Sequence, residues 1–97
     1  MNLSTSYVGE IAWDLGEERH VRASVKSRCG SDVEFVVRNA RWELVKSNSI
    51  ESQGECSVNH RVLDAIIAPQ EAGTYTLRLI YEVADETWVD NIKVRVN

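Results

Sequence analysis

The stretch that decides the fold is residues 71–96, EAGTYTLRLIYEVADETWVDNIKVRV. Its apolar side chains occupy alternate positions in two runs, which the polar residues 84–87 separate. Alternation with a period of two is typical of a strand with one buried and one wet side. Because so short a link excludes a parallel crossover, we predict two antiparallel strands joined by a hairpin at the centre of a sheet. The inward set is Tyr75, Leu77, Leu79, Tyr81, Val83, Trp88, Ile92, Val94 and Val96.

The same alternation of apolar and polar residues predicts further strands upstream. In residues 33–44 the apolar set changes from odd to even positions, which requires a bulge or a break near Arg38 and Asn39. Residues 46–54, KSNSIESQG, are predicted as the longest loop, and residues 14–19 as the second. The other inward sets are Ile11, Trp13 and Leu15; Val21, Ala23 and Val25; and Leu63, Ala65 and Ile67, which Pro69 closes.

About seven short strands without a helical stretch predict an all-β fold, an antiparallel β-sandwich, and 97 residues suffice for one domain, residues 1–97. No apolar run approaches the roughly 18 residues of a membrane span. The net charge of −4 disfavours a phosphate-binding surface. We therefore expect neither a membrane nor a nucleic acid as partner. The N-terminus lacks a basic opening and an apolar core, which predicts synthesis and residence in the cytoplasm.

No pattern of catalytic or metal-binding residues stands out. Cys29 and Cys56 are 27 positions apart, and free thiols, a disulfide and metal ligation are the alternatives. His20 and His60 add conceivable zinc ligands, but not at the spacing of a structural site. There is no GxSxG motif, and the acidic residues around the last hairpin lack a calcium-binding loop. We predict a protein without enzymatic activity, cofactor or metal.

Two resemblances add to this interpretation. The segment Glu71-Ala72-Gly73-Thr74-Tyr75 resembles the tyrosine corner of immunoglobulin-like folds, although Leu77 stands where a true immunoglobulin has its second cysteine. The whole chain also resembles small β-sandwich structural proteins of bacteriophages and prophages. That resemblance implies a virion or tail-assembly component, made in the bacterial cytoplasm and then built into the virion. Its residues are Tyr7, Gly9, Gly73, Tyr75, Leu77, Tyr81, Val83, Asp85 and Glu86.

The expected function is protein–protein contact within a larger assembly, with self-association as one form of it. Flexible polar segments can become ordered on binding, so two of them are predicted as contact sites. One is the interaction loop Asn48, Ser49, Ile50, Glu51, Ser52, Gln53 and Gly54, and the other is the N-terminal arm Asn2, Leu3, Ser4, Thr5 and Ser6.

A carbohydrate-binding module is the alternative, because such sandwiches stack sugars on exposed aromatic rings. The three tryptophans, Trp13, Trp42 and Trp88, are however in phase with the apolar sets of their strands. We therefore expect them in the core or at its rim.

Overall fold

The computed structural model describes residues 3–5, 10–27 and 35–97, and these form two sheets. The four-stranded sheet has the order β1-β3-β7-β6, and the five-stranded sheet has the order β2-β9-β8-β4-β5. The predicted all-β sandwich is thus confirmed, with nine strands in the described ranges where about seven were expected. The strands are β1 Leu3–Thr5, β2 Glu10–Trp13, β3 Arg19–Ser27, β4 Val37–Lys46, β5 Ser49–Glu55, β6 Ser57–Asn59, β7 Val62–Ile67, β8 Gly73–Val83 and β9 Glu86–Val96.

The predicted C-terminal hairpin is confirmed. β8 and β9 are antiparallel, with Gly73 opposite Val96 at one end and Val83 opposite Glu86 at the other. β8 lies between β9 and β4, and β9 lies between β8 and β2. The hairpin is therefore the centre of the five-stranded sheet, and its inward side chains form much of the core.

The bulge predicted near Arg38 and Asn39 is also present. Opposite β8, the register moves between Arg38, which faces Glu82, and Arg41, which faces Ile80. Asn39 has a φ of 51°, a left-handed conformation that asparagine adopts more readily than most residues. The extra residue returns the apolar side chains of β4 to the core after the bulge.

One pairing corrects the expectation of a purely antiparallel sandwich, because β2 runs parallel to β9, from Glu10 opposite Lys93 to Trp13 opposite Val96. Apolar residues alternate in the same way in parallel and antiparallel strands, so the sequence could not predict this pairing. β2 ends at Trp13, and Leu15, predicted to point inward, lies in the following turn and is half exposed.

The segment predicted as the longest loop is a second correction. Ser47 and Asn48 have φ values of 52° and 64° and form a two-residue turn of the I′ type, which joins β4 directly to β5. Residues 49–55 are the edge strand of the five-stranded sheet. Ser52 and Gly54 stand opposite the core residues Leu44 and Trp42, so small residues replace the apolar ones that would have revealed a strand.

The core lies between the two sheets and contains the tryptophans as predicted. Trp13 and Trp42 are buried, and Trp88 packs partly buried against the core cluster. Among the residues that the structure describes, no helix is long and apolar enough to cross a membrane.

Candidate functional site: the open flank

Two strand edges are open on the same flank of the sandwich. β5 is the last strand of the five-stranded sheet, and β6 is the last strand of the four-stranded sheet. β6 is short, so it pairs only with Val62–Asp64 of β7. Beyond that point, in the described part of the chain, residues 65–67 have a strand beside them on the β3 side alone.

The edge of β5 presents specific backbone groups to solvent. The amide of Cys56 donates to the carbonyl of Ala40 at 2.9 Å, in the register that sets Trp42 opposite Gly54. Backbone bonding alternates along an antiparallel ladder. Gly54 therefore bonds to β4, whereas the N–H and C=O groups of Gln53 and Glu55 point away from the sheet.

A bulge at Glu51 anchors the other end of this edge strand. Leu44 lies opposite Ser52 and Val45 opposite Ile50, which leaves Glu51 as the extra residue. Its Oε1 accepts a 2.6 Å hydrogen bond from the hydroxyl of Tyr75. Its Oε2 accepts one from the backbone amide of Gln70 at 3.3 Å.

The hydroxyl of Tyr75 is a junction of several contacts. Besides donating to Glu51, it accepts a 3.2 Å hydrogen bond from the backbone amide of Glu71, four residues earlier. Burial, and then the hydrogen bond to Glu51, raise the pKa of Tyr75 to about 12. The phenol is therefore a neutral donor at physiological pH, and its contacts hold β5 to the turn before β8.

A groove of about 230 Å³ opens between the edges of β5 and β7. Gly54 leaves room for the Trp42 indole, because a Cβ on Gly54 would lie only 3.0 Å from Nε1. At the next inward position of β5, the hydroxyl of Ser52 is buried and has no hydrogen-bond partner. The groove is lined by His20, Trp42, Gly54, Glu55, Ser57, Asp64 and Ile66.

Charged groups border the groove on the side of the four-stranded sheet. Asp64 Oδ1 lies 2.7 Å from His20 Nδ1, and Asp64 Oδ2 accepts a 3.1 Å bond from Arg22 Nε. Burial alone would raise the pKa of Asp64, but the hydrogen bonds with His20 and Arg22 together lower it below its usual value. Asp64 therefore stays ionised well into the acid range.

Cys56 lies where the chain passes from β5 to β6. Burial first, and then the charge of Asp64, raise the pKa of its thiol to about 11. A protonated thiol is a poor nucleophile and a poor metal ligand. Cys56 is a free cysteine; Cys29 lies outside the described residues. Within those residues there is no group of three or more His, Cys, Asp or Glu that could hold a metal ion.

A second, wider pocket of about 700 Å³ lies at one end of the sandwich, beside the β6–β7 and β8–β9 turns. Phe35 lines it, and the guanidinium of Arg61 stacks over the Phe35 ring at 4.1 Å. His60 occupies the β6–β7 turn and is exposed, as is His20.

The two predicted contact segments lie on opposite flanks. β1 approaches β9, whereas β6 and β7 approach β4 next to β5. Leu3–Thr5 form β1, which pairs with β3, while Asn2, Ser6, Tyr7 and Gly9 fall outside the described ranges. The structure therefore does not bring the described part of the N-terminal arm, Leu3–Thr5, together with residues 48–54.

The groove itself was not predicted. Its central feature is the placement of Trp42 across from Gly54, and only strand pairing brings these residues together. The sequence contains one relevant feature: a tryptophan on a predicted strand is followed, after a short turn, by a polar segment with a glycine. This feature indicates a groove only if residues 49–55 are known to form a strand.

Comparisons with known proteins agree on the fold. No protein-family model matches the chain, and no curated protein matches it. The crystal structure of an engineered protein is similar, with a TM-score of 0.71 and 15% identity over 98% of this chain and 20% of the other. An endo-β-1,4-mannanase from Thermotoga petrophila is also similar, with a TM-score of 0.61 and 14% identity over 99% of this chain and 19% of the other. The chain thus spans about a fifth of each of these proteins, and at such identities the likeness shows the β-sandwich fold alone.

Proposed function

We propose that the chain is a non-enzymatic β-sandwich module that makes protein–protein contacts in a larger assembly, with β5 as its contact strand. The observation that carries the proposal is the open edge of β5, where Gln53 and Glu55 direct their backbone groups to solvent. Unpaired edges of this kind are templates for pairing with another chain. Proline and lysine, which often protect natural edges, do not occur in residues 49–55.

The edge is also held in place before a partner arrives. Glu51 is fixed by Tyr75 and Gln70, so little conformational entropy is lost when a second strand pairs with it. The same bulge interrupts the regular ladder, so the partner strand pairs with residues 52–55 rather than with the whole edge.

The proposed partner of β5 is a second copy of the chain, in an antiparallel arrangement about a twofold axis at Gly54. Only residues with outward backbone groups can exchange hydrogen bonds across the new pair. In this register, Gln53 of each copy faces Glu55 of the other, and an amide can donate to a carboxylate. A register shifted by one residue, with Glu55 facing its own copy, would set like charges opposite each other, which is destabilising.

Two features support an immunoglobulin-like topology for the sandwich as part of the proposal. Such domains place strands A, B, E and D in one sheet and G, F and C in the other. The orders β1-β3-β7-β6 and β9-β8-β4 match these when β2 and β5 are set aside as extra strands and the other seven are lettered A to G in chain order. The contact of the Tyr75 hydroxyl with the Glu71 amide is the one that a tyrosine corner makes.

The finer proposal, a phage or prophage particle as the assembly, rests on the sequence resemblance described above. Its motif residues from Gly73 to Glu86 lie in β8, at the turn and at the start of β9. Synthesis in the bacterial cytoplasm followed by incorporation into a virion is part of that proposal.

The carbohydrate-binding alternative receives less support from the side chains. Trp13 is 2% exposed and Trp42 9%, and Trp88 is partly covered by the core. The rings of Trp13 and Trp42 therefore offer no open face on which a sugar could stack. A tryptophan fluorescence response to a glycan panel would restore this alternative.

Replacement of Gln53 by proline tests the proposed contact. Gln53→Pro removes an outward N–H that the ladder to β4 does not use, so the fold should tolerate it. Light scattering after size exclusion, over a wide concentration range, should give twice the chain mass of 11.0 kDa for the wild type at high concentration. Gln53→Pro should give the mass of one chain with an unchanged melting temperature.

The matched control is Gln53→Thr, which keeps the N–H and favours a strand, and it should dimerise like the wild type. A wild-type protein that remains monomeric at every concentration would contradict pairing through β5. So would a Gln53→Pro variant that still dimerises.

A further inference from the structure

We infer that the groove between β5 and β7 binds an extended peptide segment of a partner protein, which adds to the four-stranded sheet beside β7. The peptide would pair with a different sheet from the proposed self-association, although Gly54 and Glu55 of the contact strand β5 also line the groove. The ligand class is an unstructured segment in which small hydroxyl residues alternate with basic ones.

The backbone of Ile66 is the first evidence for the site. The amide of Val25 donates to the carbonyl of Arg61 at 2.8 Å. The same register sets Val21 opposite Ala65 and Arg19 opposite Ile67. Because bonding residues alternate, the odd-numbered residues of β7 bond to β3 and the even-numbered ones face the other way.

On that other side, β6 covers only part of β7. Asp64 lies opposite Ser57, the first residue of β6. Ile66 comes next in the outward series, and no strand in the described part of the chain lies beside it. Its N–H and C=O are therefore a donor and an acceptor positioned for an added strand.

The shape of the groove is the second observation. His20, Asp64 and Ile66 belong to the outer face of the four-stranded sheet, whereas Trp42 belongs to the core side of the five-stranded sheet. One cavity can reach both sides of β7 only where no strand flanks it. The cavity thus occupies the position that a neighbouring strand would take, about 4.8 Å from β7.

The inward wall of the groove indicates small polar residues in the ligand. The indole Nε1 of Trp42, which lines the groove, has no hydrogen-bond acceptor among the described residues. An inward serine or threonine hydroxyl can accept from the indole and remain small enough for the space that Gly54 leaves.

The outward wall indicates basic residues. Asp64, on the same outer face of the four-stranded sheet as Ile66, places a carboxylate along the groove and is held ionised. Its present partners are His20 and Arg22, while Glu55 lies on the outer face of the five-stranded sheet, opposite Arg41. A lysine directed outward beside β7 can approach the Asp64 carboxylate while its aliphatic stem covers Ile66, which is 49% exposed.

The test uses the acetylated and amidated peptide Ser-Lys-Thr-Lys-Ser, titrated into the protein and followed by NMR. The amide of Ile66 and the indole N–H of Trp42 should shift in a saturable way. At a peptide concentration of about ten times Kd, hydrogen exchange of the Ile66 amide should slow about tenfold. The peptide Ser-Glu-Thr-Glu-Ser should produce neither effect.

Variants at Ile66 and Gln53 separate this site from the dimer. Ile66→Pro removes the outward N–H and should abolish peptide binding, while Ile66→Thr keeps the N–H and should bind. Ile66→Pro should leave the solution mass unchanged, and Gln53→Pro should leave peptide binding unchanged. If Ile66→Pro does not fold, the lysine peptide N-methylated at its central amide replaces it and should not bind.

Three results would overturn the inference. One is the absence of saturable shifts up to millimolar peptide. Another is an Ile66 amide that exchanges at its free rate when the peptide is saturating. The third is equal binding of the acidic peptide.

Discussion

The hydroxyl of Tyr75 donates a 2.6 Å hydrogen bond to Oε1 of Glu51 and so fastens the edge strand β5 to the first buried residue of β8. β4 lies between these two strands, so the bond connects elements that are not neighbours in the sheet. Glu51 is free to make it because the bulge removes this residue from the regular ladder. The open edge is therefore positioned from the inside of the sandwich.

Tyr75→Phe should lower the free energy of unfolding by about 1 to 2 kcal/mol, since it deprives Glu51 and the Glu71 amide of a hydrogen-bond partner. Denaturant unfolding with an unchanged m-value is the measurement. The variant should also dimerise more weakly, because β5 is then less firmly held. An unchanged unfolding midpoint would show that the contact is energetically neutral.

Stability should fall at alkaline pH because two groups are held neutral by the fold. The pKa of Cys56 is raised from 9.0 to about 11, and that of Tyr75 from 10.0 to about 12. A raised folded-state pKa contributes stability that is complete below the unfolded value and is lost as the pH rises through the folded value. The decline should therefore begin near pH 9 and continue to about pH 12.

Unfolding midpoints measured across this range should fall less steeply in Cys56→Ala and in Tyr75→Phe than in the wild type. The difference between the near-ultraviolet titrations of the wild type and Tyr75→Phe should show that Tyr75 ionises about two pH units late. Equal slopes in all three proteins would contradict the assignment.

Gly54→Ala should destabilise the protein by about 1 to 3 kcal/mol through overpacking. The added Cβ would lie 3.0 to 3.1 Å from three atoms of the Trp42 indole. When Trp42 is replaced by phenylalanine, Gly54→Ala should lower the free energy of unfolding by less. A double-mutant cycle measures this difference.

Gly16→Ala is the matched control for that cycle. Gly16 has a φ of 95° and no atom within 4 Å of an added Cβ, so Gly16→Ala destabilises the protein through backbone strain alone. Trp42→Phe should not change the free energy of unfolding that Gly16→Ala removes. If Gly54→Ala destabilises the protein equally with tryptophan and with phenylalanine at position 42, the steric explanation is excluded.

Ala84→Gly should raise the free energy of unfolding by up to about 1 kcal/mol. Ala84 has a φ of 55° at the first position of the two-residue turn between β8 and β9, and glycine relieves the strain of that conformation. Asp85→Gly, at the next position, has no positive φ to relieve and should be neutral or destabilising. The melting temperatures of the two variants provide the comparison. Equal shifts for Ala84→Gly and Asp85→Gly would argue against strain at Ala84.

The sequence predicted those parts of the fold in which apolar residues alternate over a long run. The β8–β9 hairpin and the bulge beside Asn39 both follow from the phase of buried side chains, which period-two counting detects directly. β5 escaped prediction because its inward positions, Ser52 and Gly54, are small or polar. The parallel partner of β2 escaped because strand direction depends on tertiary contacts.

For the candidate site, the sequence located one wall but not the cavity. Residues 48–54 were predicted as a contact loop, and they lie in a turn and in the edge strand beside the groove; their role in contacts remains a prediction. The opposite wall, with Asp64 and Ile66, comes from β7, which was predicted only as a strand with Leu63, Ala65 and Ile67 pointing inward. Such a site depends on how far each strand extends, and β6 begins only at Ser57, where the chain arrives from β5.

The parallel pairing of β2 with β9 gives the domain a mechanical property. An extending force applied between Glu10 and Val96 pulls the two strands in opposite directions along their axes. The hydrogen bonds of the four residue pairs between them then carry the load in shear and must break together, whereas the hairpin β8–β9 would open one bond at a time. Two further bonds extend this pairing: the Asn97 amide donates to the Trp13 carbonyl at 2.8 Å, and the Leu15 amide donates to the Asn97 carbonyl at 3.1 Å. Strand β9 therefore also bears tension across the sandwich.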